Sequence, residues 1–335
     1  MTAGRANNFA DGSAIRPYHA RVQQNVAIIG AGVSGLTCGV LFAELGYRTA
    51  IFAEQIGQAT TSGAAAALWF PYDCEPRNKV ITWALTTNHT LVELCDDPHS
   101  GVSMIELRQF SRTGEIPIPD WSISLGASAV AAALCAAPFK SGFVMNVPLM
   151  DTTIYLPYLA TRFVAGGGMI TSGVCFENLE DVDRDFDLVI NCAGIGARSL
   201  VRDVDLEPHR GQVAIVPKID NLACAIVCDD APLMYAIPRT NDCVFGGTNE
   251  LSDDLAIDPK STQRIVAECT RVLKIDNPPL LAERVGIRPY RKSGVRLERA
   301  QLHDGRSVIH NYGHGGSGFT LSWGCAEEVF ALANR

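Results

Sequence analysis

Residues 25–54 read NVAIIGAGVSGLTCGVLFAELGYRTAIFAE, and the reading of this stretch decides the fold. Val26-Ala27-Ile28-Ile29 is a short apolar run of the kind that forms a buried strand. Gly30, Gly32 and Gly35 then stand in G-x-G-x-x-G spacing. A helix is predicted from Ser34 to Leu45, with Leu36, Val40 and Leu41 on a helical period and Gly46 just past its end. A second apolar strand, from Arg48 to Ala53, runs into Glu54. Strand, glycine turn, helix, strand and terminal acid together form a βαβ unit that binds a dinucleotide. In it Gly30 makes the tight turn, Gly32 lets backbone approach a pyrophosphate, and Gly35 lets helix and strand pack. The N–H groups of Val33 and Ser34 at the helix N-terminus suit the anion. Glu54, nineteen residues beyond Gly35, is placed to accept from the adenosine ribose hydroxyls. The motif alone does not choose between NAD and FAD.

The 335 residues suffice for two domains with their own cores. A chain 47% apolar and 19% charged is that of an ordinary globular protein, and a net charge of −8 argues against nucleic acid or an anionic membrane surface as partner. No apolar run reaches the ~18 residues that span a bilayer. Residues 1–24 are polar, without the apolar segment of a signal peptide, and are expected to form a loose arm. No C-terminal Ser-Lys-Leu address is present. Eleven cysteines without a C-x-x-C pair read as reduced, mostly buried thiols of a cytoplasmic protein, and Cys224 with Cys228 is not expected to hold zinc.

Further along, Thr60 to Tyr72 (TTSGAAAALWFPY) is small and uncharged, which predicts a loop lying close against a ligand. Lys79 to Leu94 reads as a helix. Residues 104–130 read as short strands, including IPIPDWSISL, and Gly142 to Val147 as another strand. Thr153 to Ala165 reads as a helix. Asp187 to Asn191 is a buried strand that runs into small residues, Cys192-Ala193-Gly194, where backbone passes the cofactor. A second β-rich stretch starts at Arg210. It includes a hairpin of Met234 to Pro238 with Cys243 to Gly247, and an amphipathic helix from Lys260 to Lys274 follows. A Gly-rich loop, His310 to Gly318, precedes a final helix predicted over residues 325–332.

IRPYRKSGVRLER followed by IHNYGHGGSGFTLSWG resembles the C-terminal signature of the D-amino-acid and D-aspartate oxidases. The resemblance, closer to the D-amino-acid oxidases, extends to TTSGAAAALWFPY, DLVINCAGIGARSL, RGQVAIV and MYAIPRTNDCVFGGT in the family's order, from Asn25 to Arg335. It implies an α/β protein with a glutathione-reductase-like, Rossmann-type FAD domain and a β-rich α+β substrate domain. The expected division is 25–75, 150–205 and 286–335 for FAD, with 76–149 and 206–285 for substrate. It implies noncovalent FAD, hydride transfer from Cα to flavin N5, and reoxidation by O₂ to H₂O₂. The imino acid then hydrolyses to a 2-oxo acid and ammonia.

Residue by residue, Arg288 matches the family's carboxylate-binding arginine, and a guanidinium can grip both oxygens. Tyr235 matches the tyrosine that hydrogen-bonds the same carboxylate. The Gly316 carbonyl matches the acceptor of the substrate amine, with the Ser317 hydroxyl beside it. Thr60, Thr61, Ser62, Ala66, Ala67, Leu68, Gly315, Gly318, Phe319 and Thr320 fall at flavin positions. His314 reads as structural, since the family's mechanism needs no base.

Three departures bear on the substrate. Ala231 replaces a flap tyrosine, and the lid looks short. Asn249 follows Gly246-Gly247-Thr248 where D-aspartate oxidases carry arginine. Phe70 replaces a polar residue. A neutral, apolar side-chain pocket with Phe70 and Ile237 as walls follows, with the orientation of Arg239 and Asn249 left open. The expected partners are an amino acid and O₂, with a homodimer allowed. Four alternatives stay open: a D-aspartate or D-glutamate oxidase, an oxidase of glycine, sarcosine or a biosynthetic amine, an NAD-dependent dehydrogenase, and a non-enzymatic flavin protein.

Overall fold

A computed structural model describes residues 24–72, 74–131, 135 and 137–335. All but the last residue of the expected N-terminal arm lies outside the described residues. Among them the βαβ unit is Asn25–Ala31, the helix Val33–Glu44 and Arg48–Ile56, with the two strands parallel and in register from Asn25↔Arg48 to Ile29↔Phe52. Val26, Ala27, Ile28 and Ile51 are fully buried, as an apolar run covered on both faces must be. Around this pair the described residues form a six-stranded sheet. Its order is Arg296–Gln301, Ser307–Tyr312, Leu188–Asn191, Asn25–Ala31, Arg48–Ile56, Met169–Ser172. One edge pair, Arg296–Gln301 with Ser307–Tyr312, is antiparallel, and the other pairings are parallel.

Helix Val33–Glu44 packs against Thr152–Ala165 and Gly318–Ala333, and Gly318–Ala333 also packs against Arg77–Leu94. Small residues let these axes close in. A Cβ on Gly324 would stand 2.3 Å from the Trp83 carbonyl oxygen, and one on Gly39 3.1 Å from Phe163 Cδ2. Buried donors in this core are matched: Trp69 Nε1 donates to Ala84 O (3.0 Å), and Trp323 Nε1 to the Tyr155 hydroxyl (2.9 Å).

The second sheet has nine strands among the described residues. Its path runs Glu250–Leu251, Leu206–Pro217, Asp242–Gly246, Met234–Pro238, Cys224–Cys228, Val102–Ser111, Ser141–Met150, Ser128–Ala129, with Ala282–Arg291 also paired to Leu206–Pro217. The amphipathic helix Pro259–Leu273 covers part of it. Asp258 caps that helix by accepting from the N–H groups of Lys260 and Ser261, both at 3.1 Å.

Four expectations need correction. IPIPDWSISL is not a strand: residues 115–119 are irregular and a single helical turn, Asp120–Ile123, follows. Pro117 and Pro119 cannot donate to a ladder, which alternation of apolar residues conceals. The final helix starts at Gly318 and not at Cys325, because tertiary packing carries Gly318 and Gly324 in a helix that propensity disfavours. The boundary expected at 286 falls inside Ala282–Arg291, which pairs along its length with Leu206–Pro217. Helix Arg77–Leu94, expected with the substrate residues, packs on the C-terminal helix beside the nucleotide sheet. Sequence period shows that a helix has an apolar face and not which sheet that face meets. No helix among the described residues is long and apolar enough to cross a membrane.

Candidate functional site

One cavity of about 400 Å³ runs from the glycine turn, between the two sheets, to the second sheet's strands. That volume is in the range of small-molecule sites. At its nucleotide end Gly30 has φ +107°, and a Cβ there would lie 2.4 Å from Cys192 O. A Cβ on Gly35 would lie 1.9 Å from Gly30 O, so helix and strand meet only because both residues are glycine. Gly30, Gly32, Val33, Ser34 and Glu54 line the cavity, as do Cys192, Ala193 and Gly194 on the neighbouring strand end. Gln55, beside Glu54, lines it too. Gly35 is set back and acts through packing.

The loop after the second strand is held by its own hydroxyls. Thr60 Oγ1 donates to Gly57 O (2.7 Å), Thr61 Oγ1 to Ile287 O (3.3 Å), and Ser62 Oγ accepts from Val33 N (3.0 Å). Ser62 therefore ties the loop to the N-terminus of the first helix. Ala64 to Leu68 then line the cavity, with Ala67 in the left-handed region at φ +55°.

The Gly-rich loop delivers Gly315, Gly316, Gly318 and Phe319 to the cavity. Ser317 and Thr320, expected to meet substrate and flavin, do not line it. Ser317 is fully buried, and its Oγ accepts from Tyr72 N (2.9 Å) and donates to Tyr72 O. Thr320 Oγ1 accepts from Phe70 N (3.1 Å) and donates to Phe70 O (3.0 Å). These two hydroxyls bind the extended segment at residues 70–72 to the C-terminal helix, and so position Phe70 and Tyr72, both in the cavity wall. Motif matching places a residue near a site, but side-chain direction decides what it touches.

His314 is buried and bonded to Asn311 Oδ1 through Nε2 (3.1 Å), and burial pushes its pKa down to about 4. It is a neutral imidazole with a structural partner.

At the far end, Arg288 and Tyr235 come together. Arg288 Nη1 donates to Thr248 O (2.9 Å), anchoring the guanidinium. Gly211 lies beneath it: a Cβ there would meet Nη1 at 2.4 Å. The Tyr235 ring lies in the same way over Gly246, whose Cβ would fall 2.0 Å from Cζ, and over Gly247. Burial raises the Tyr235 pKa, and the adjoining Arg288 guanidinium opposes the rise. Neither Gly211 nor the bed formed by Gly246 and Gly247 was singled out from sequence, although each lies within a quoted motif.

Phe70 and Ile237 line the same cavity, as do Leu107, Val227 and Leu233. Asn249 reaches the cavity, whereas Arg239 does not: it is buried, with Nε and Nη2 on the two carboxylate oxygens of Asp242 (both 2.7 Å). Gln109 and Asp229 also line the cavity, and sequence reasoning missed both. Strand alternation carried the missing signal. Register places Gln109 opposite Val227, Val227 opposite Tyr235, and Tyr235 opposite Gly246, so all share one face.

A nucleotide cradle continuous with a substrate-sized recess between two sheets defines a dinucleotide-dependent oxidoreductase. The chain belongs to the FAD-dependent oxidoreductase (DAO) family, whose match covers residues 25–332. It is 37% identical to a D-amino-acid oxidase of Streptomyces coelicolor over 92% of this chain and 96% of that protein. It is 35% identical to one of Rubrobacter xylanophilus (93% and 97%), and 31% identical to a Homo sapiens D-aspartate oxidase (92% and 94%). Among solved structures, glycine oxidase of Geobacillus kaustophilus superposes with a TM-score of 0.78 at 17% identity, covering 93% of this chain and 95% of its own, which shows a shared fold. The cofactor is FAD.

Proposed function

We propose that this protein is a D-amino-acid oxidase, with Arg288 and Tyr235 as the anchor of the substrate carboxylate. The observation that carries the reading is the guanidinium lying over Gly211 beside the Tyr235 phenol, at the end of the dinucleotide cavity. Nη1 is held by Thr248 O, which fixes the guanidinium beside the phenol. The relatives named above support the reaction.

FAD would be held along Gly30 to Ser34, Glu54, the Ala64–Leu68 backbone and the Gly315–Gly316 loop, and would supply a two-electron acceptor from which O₂ takes the electrons, leaving as H₂O₂. The chain's own residues do the positioning. Two N–H groups and a phenol on one carboxylate fix the direction of the Cα–H bond. Gly316 lies beside Arg288 Cδ and Tyr72, and its carbonyl is the acceptor assigned to the substrate amine. Phe70, Ile237, Leu107 and Val227 exclude water and wall the side chain. The substrate would give up a hydride from Cα and a proton from its amine to become an imino acid, which water converts to a 2-oxo acid and ammonia. The buried thiols of Cys38, Cys192, Cys224, Cys228, Cys243, Cys269 and Cys325 support a cytoplasmic setting.

The test is anaerobic mixing of the holoenzyme with matched D- and L-amino acids while the flavin's visible absorbance is followed. Bleaching by D-amino acids and not by their mirror images is expected. Bleaching by glycine or sarcosine alone would move the assignment to another amine, and an unresponsive yellow protein would remove the oxidase reading.

A further inference from the structure

The side-chain end of the cavity is not uniformly apolar. Asp229 follows the last residue of strand Cys224–Cys228, two residues past Val227, and Gln109 stands in the row that carries Val227 and Tyr235. Gln109 Nε2 donates to Asp229 Oδ2 at 2.8 Å. Among the described residues Oδ1 accepts no hydrogen bond, and no lysine, arginine or histidine pairs with this carboxylate. The next residue contrasts with it. Asp230 Oδ2 accepts from Ser111 Oγ (2.8 Å) and from the backbone N–H groups of Arg112 and Thr113, so its charge is satisfied within the protein. Asp229 instead lines the cavity, as do Leu107, Val227 and Leu233.

Taking Arg288 and Tyr235 as the carboxylate anchor, as proposed above, we infer that Asp229, oriented by Gln109, selects D-amino acids whose side chains are long and end in a cation. Geometry and charge agree. Asp229 lies two residues past Val227, which is opposite Tyr235, or about 7 Å along the strand. The four-carbon stem of a lysine-type side chain covers a similar distance. Its methylenes would lie on Val227, Leu233 and Phe70, and its ammonium would reach the unpaired oxygen of Asp229. A carboxylate side chain would meet a like charge there, which disfavours D-aspartate and D-glutamate more firmly than the absence of an arginine at Asn249 does.

D-lysine and D-norleucine, alike in length and differing in the terminal charge, test this in the holoenzyme and in Asp229→Asn. The inference expects D-lysine to have the higher kcat/KM in the parent. In the variant D-lysine should weaken and D-norleucine improve, moving their ratio by about tenfold or more, the scale of a hydrogen bond to a charged group. A ratio unchanged in Asp229→Asn overturns the assignment, as does an equal loss on D-lysine, D-norleucine and D-alanine, which would place Asp229 on the part common to all substrates. In both cases D-alanine oxidation leaves the oxidase reading standing. Failure of every D-amino acid to reduce the flavin would sink both.

Discussion

Arg288 lies directly over Gly211, close enough that a single methyl on that glycine would overlap the guanidinium at 2.4 to 2.6 Å. The two residues are diagonal neighbours on paired antiparallel strands, with Gly286 opposite Gly211 and Arg288 opposite His209. The arginine is therefore shelved on the sheet, and its position depends on an absent side chain. Gly211→Ala should displace the guanidinium, the far end of a flexible side chain, and spare the backbone. We expect the purified protein to stay yellow while kcat/KM for D-alanine falls about a hundredfold, the usual effect of a displacement on the ångström scale. Parent-like peroxide production by this variant would show that Arg288 does not anchor the substrate.

Tyr235 contributes one phenol to the same carboxylate. Tyr235→Phe keeps the ring on Gly246 and Gly247 and removes only the hydroxyl. Its effect should be smaller than that of Arg288→Lys, which loses the planar fork. A KM for D-alanine raised about tenfold with flavin content intact is the expected result in steady-state assays.

Gly35 tolerates nothing larger, because the atom that a Cβ would strike is a backbone oxygen, Gly30 O at 1.9 Å. Gly35→Ala should yield colourless or insoluble protein. Glu54→Gln, at an exposed strand end, should fold normally and hold FAD about tenfold more weakly. Absorbance ratios of the two purified variants distinguish a packing role from a ligand role.

His310 and His314 make stability depend on pH. Burial lowers both imidazoles to about 4, with Arg296 adding to the effect at His310. Between that value and the ~6.5 of an unfolded histidine, the unfolded chain binds protons that the folded chain refuses. Stability is thus full above about pH 6.5 and is lost as pH falls toward 4, by about 2 kcal/mol per histidine at about pH 5. Urea midpoints of the holoenzyme should fall accordingly between about pH 7.5 and about pH 5, and the slope should flatten when both are replaced by glutamine. A midpoint insensitive to pH over this window would contradict the buried neutral assignment.

The nucleotide half of this protein was legible from the chain alone. Its determinants are local: Gly30, Gly32, Gly35 and Glu54 lie within one βαβ unit, so spacing along the sequence is close to spacing in space. Motif resemblance singled out Arg288, Tyr235, Phe70 and Ile237, and all four line one cavity. What it could not supply was side-chain direction, and so Ser317 and Thr320 turned out to fasten residues 70–72 instead of facing a ligand. Nor could it show the shelf of Gly211, Gly246 and Gly247, or Gln109 and Asp229 at the polar end. Those relations join strands up to 120 positions apart, as in the Gln109–Asp229 hydrogen bond. They exist only once sheet register sets which residues share a face. The sequence by itself determined the dinucleotide cradle, since one continuous segment builds it. Tertiary structure alone decided the substrate pocket, because several distant strands must align before its wall exists.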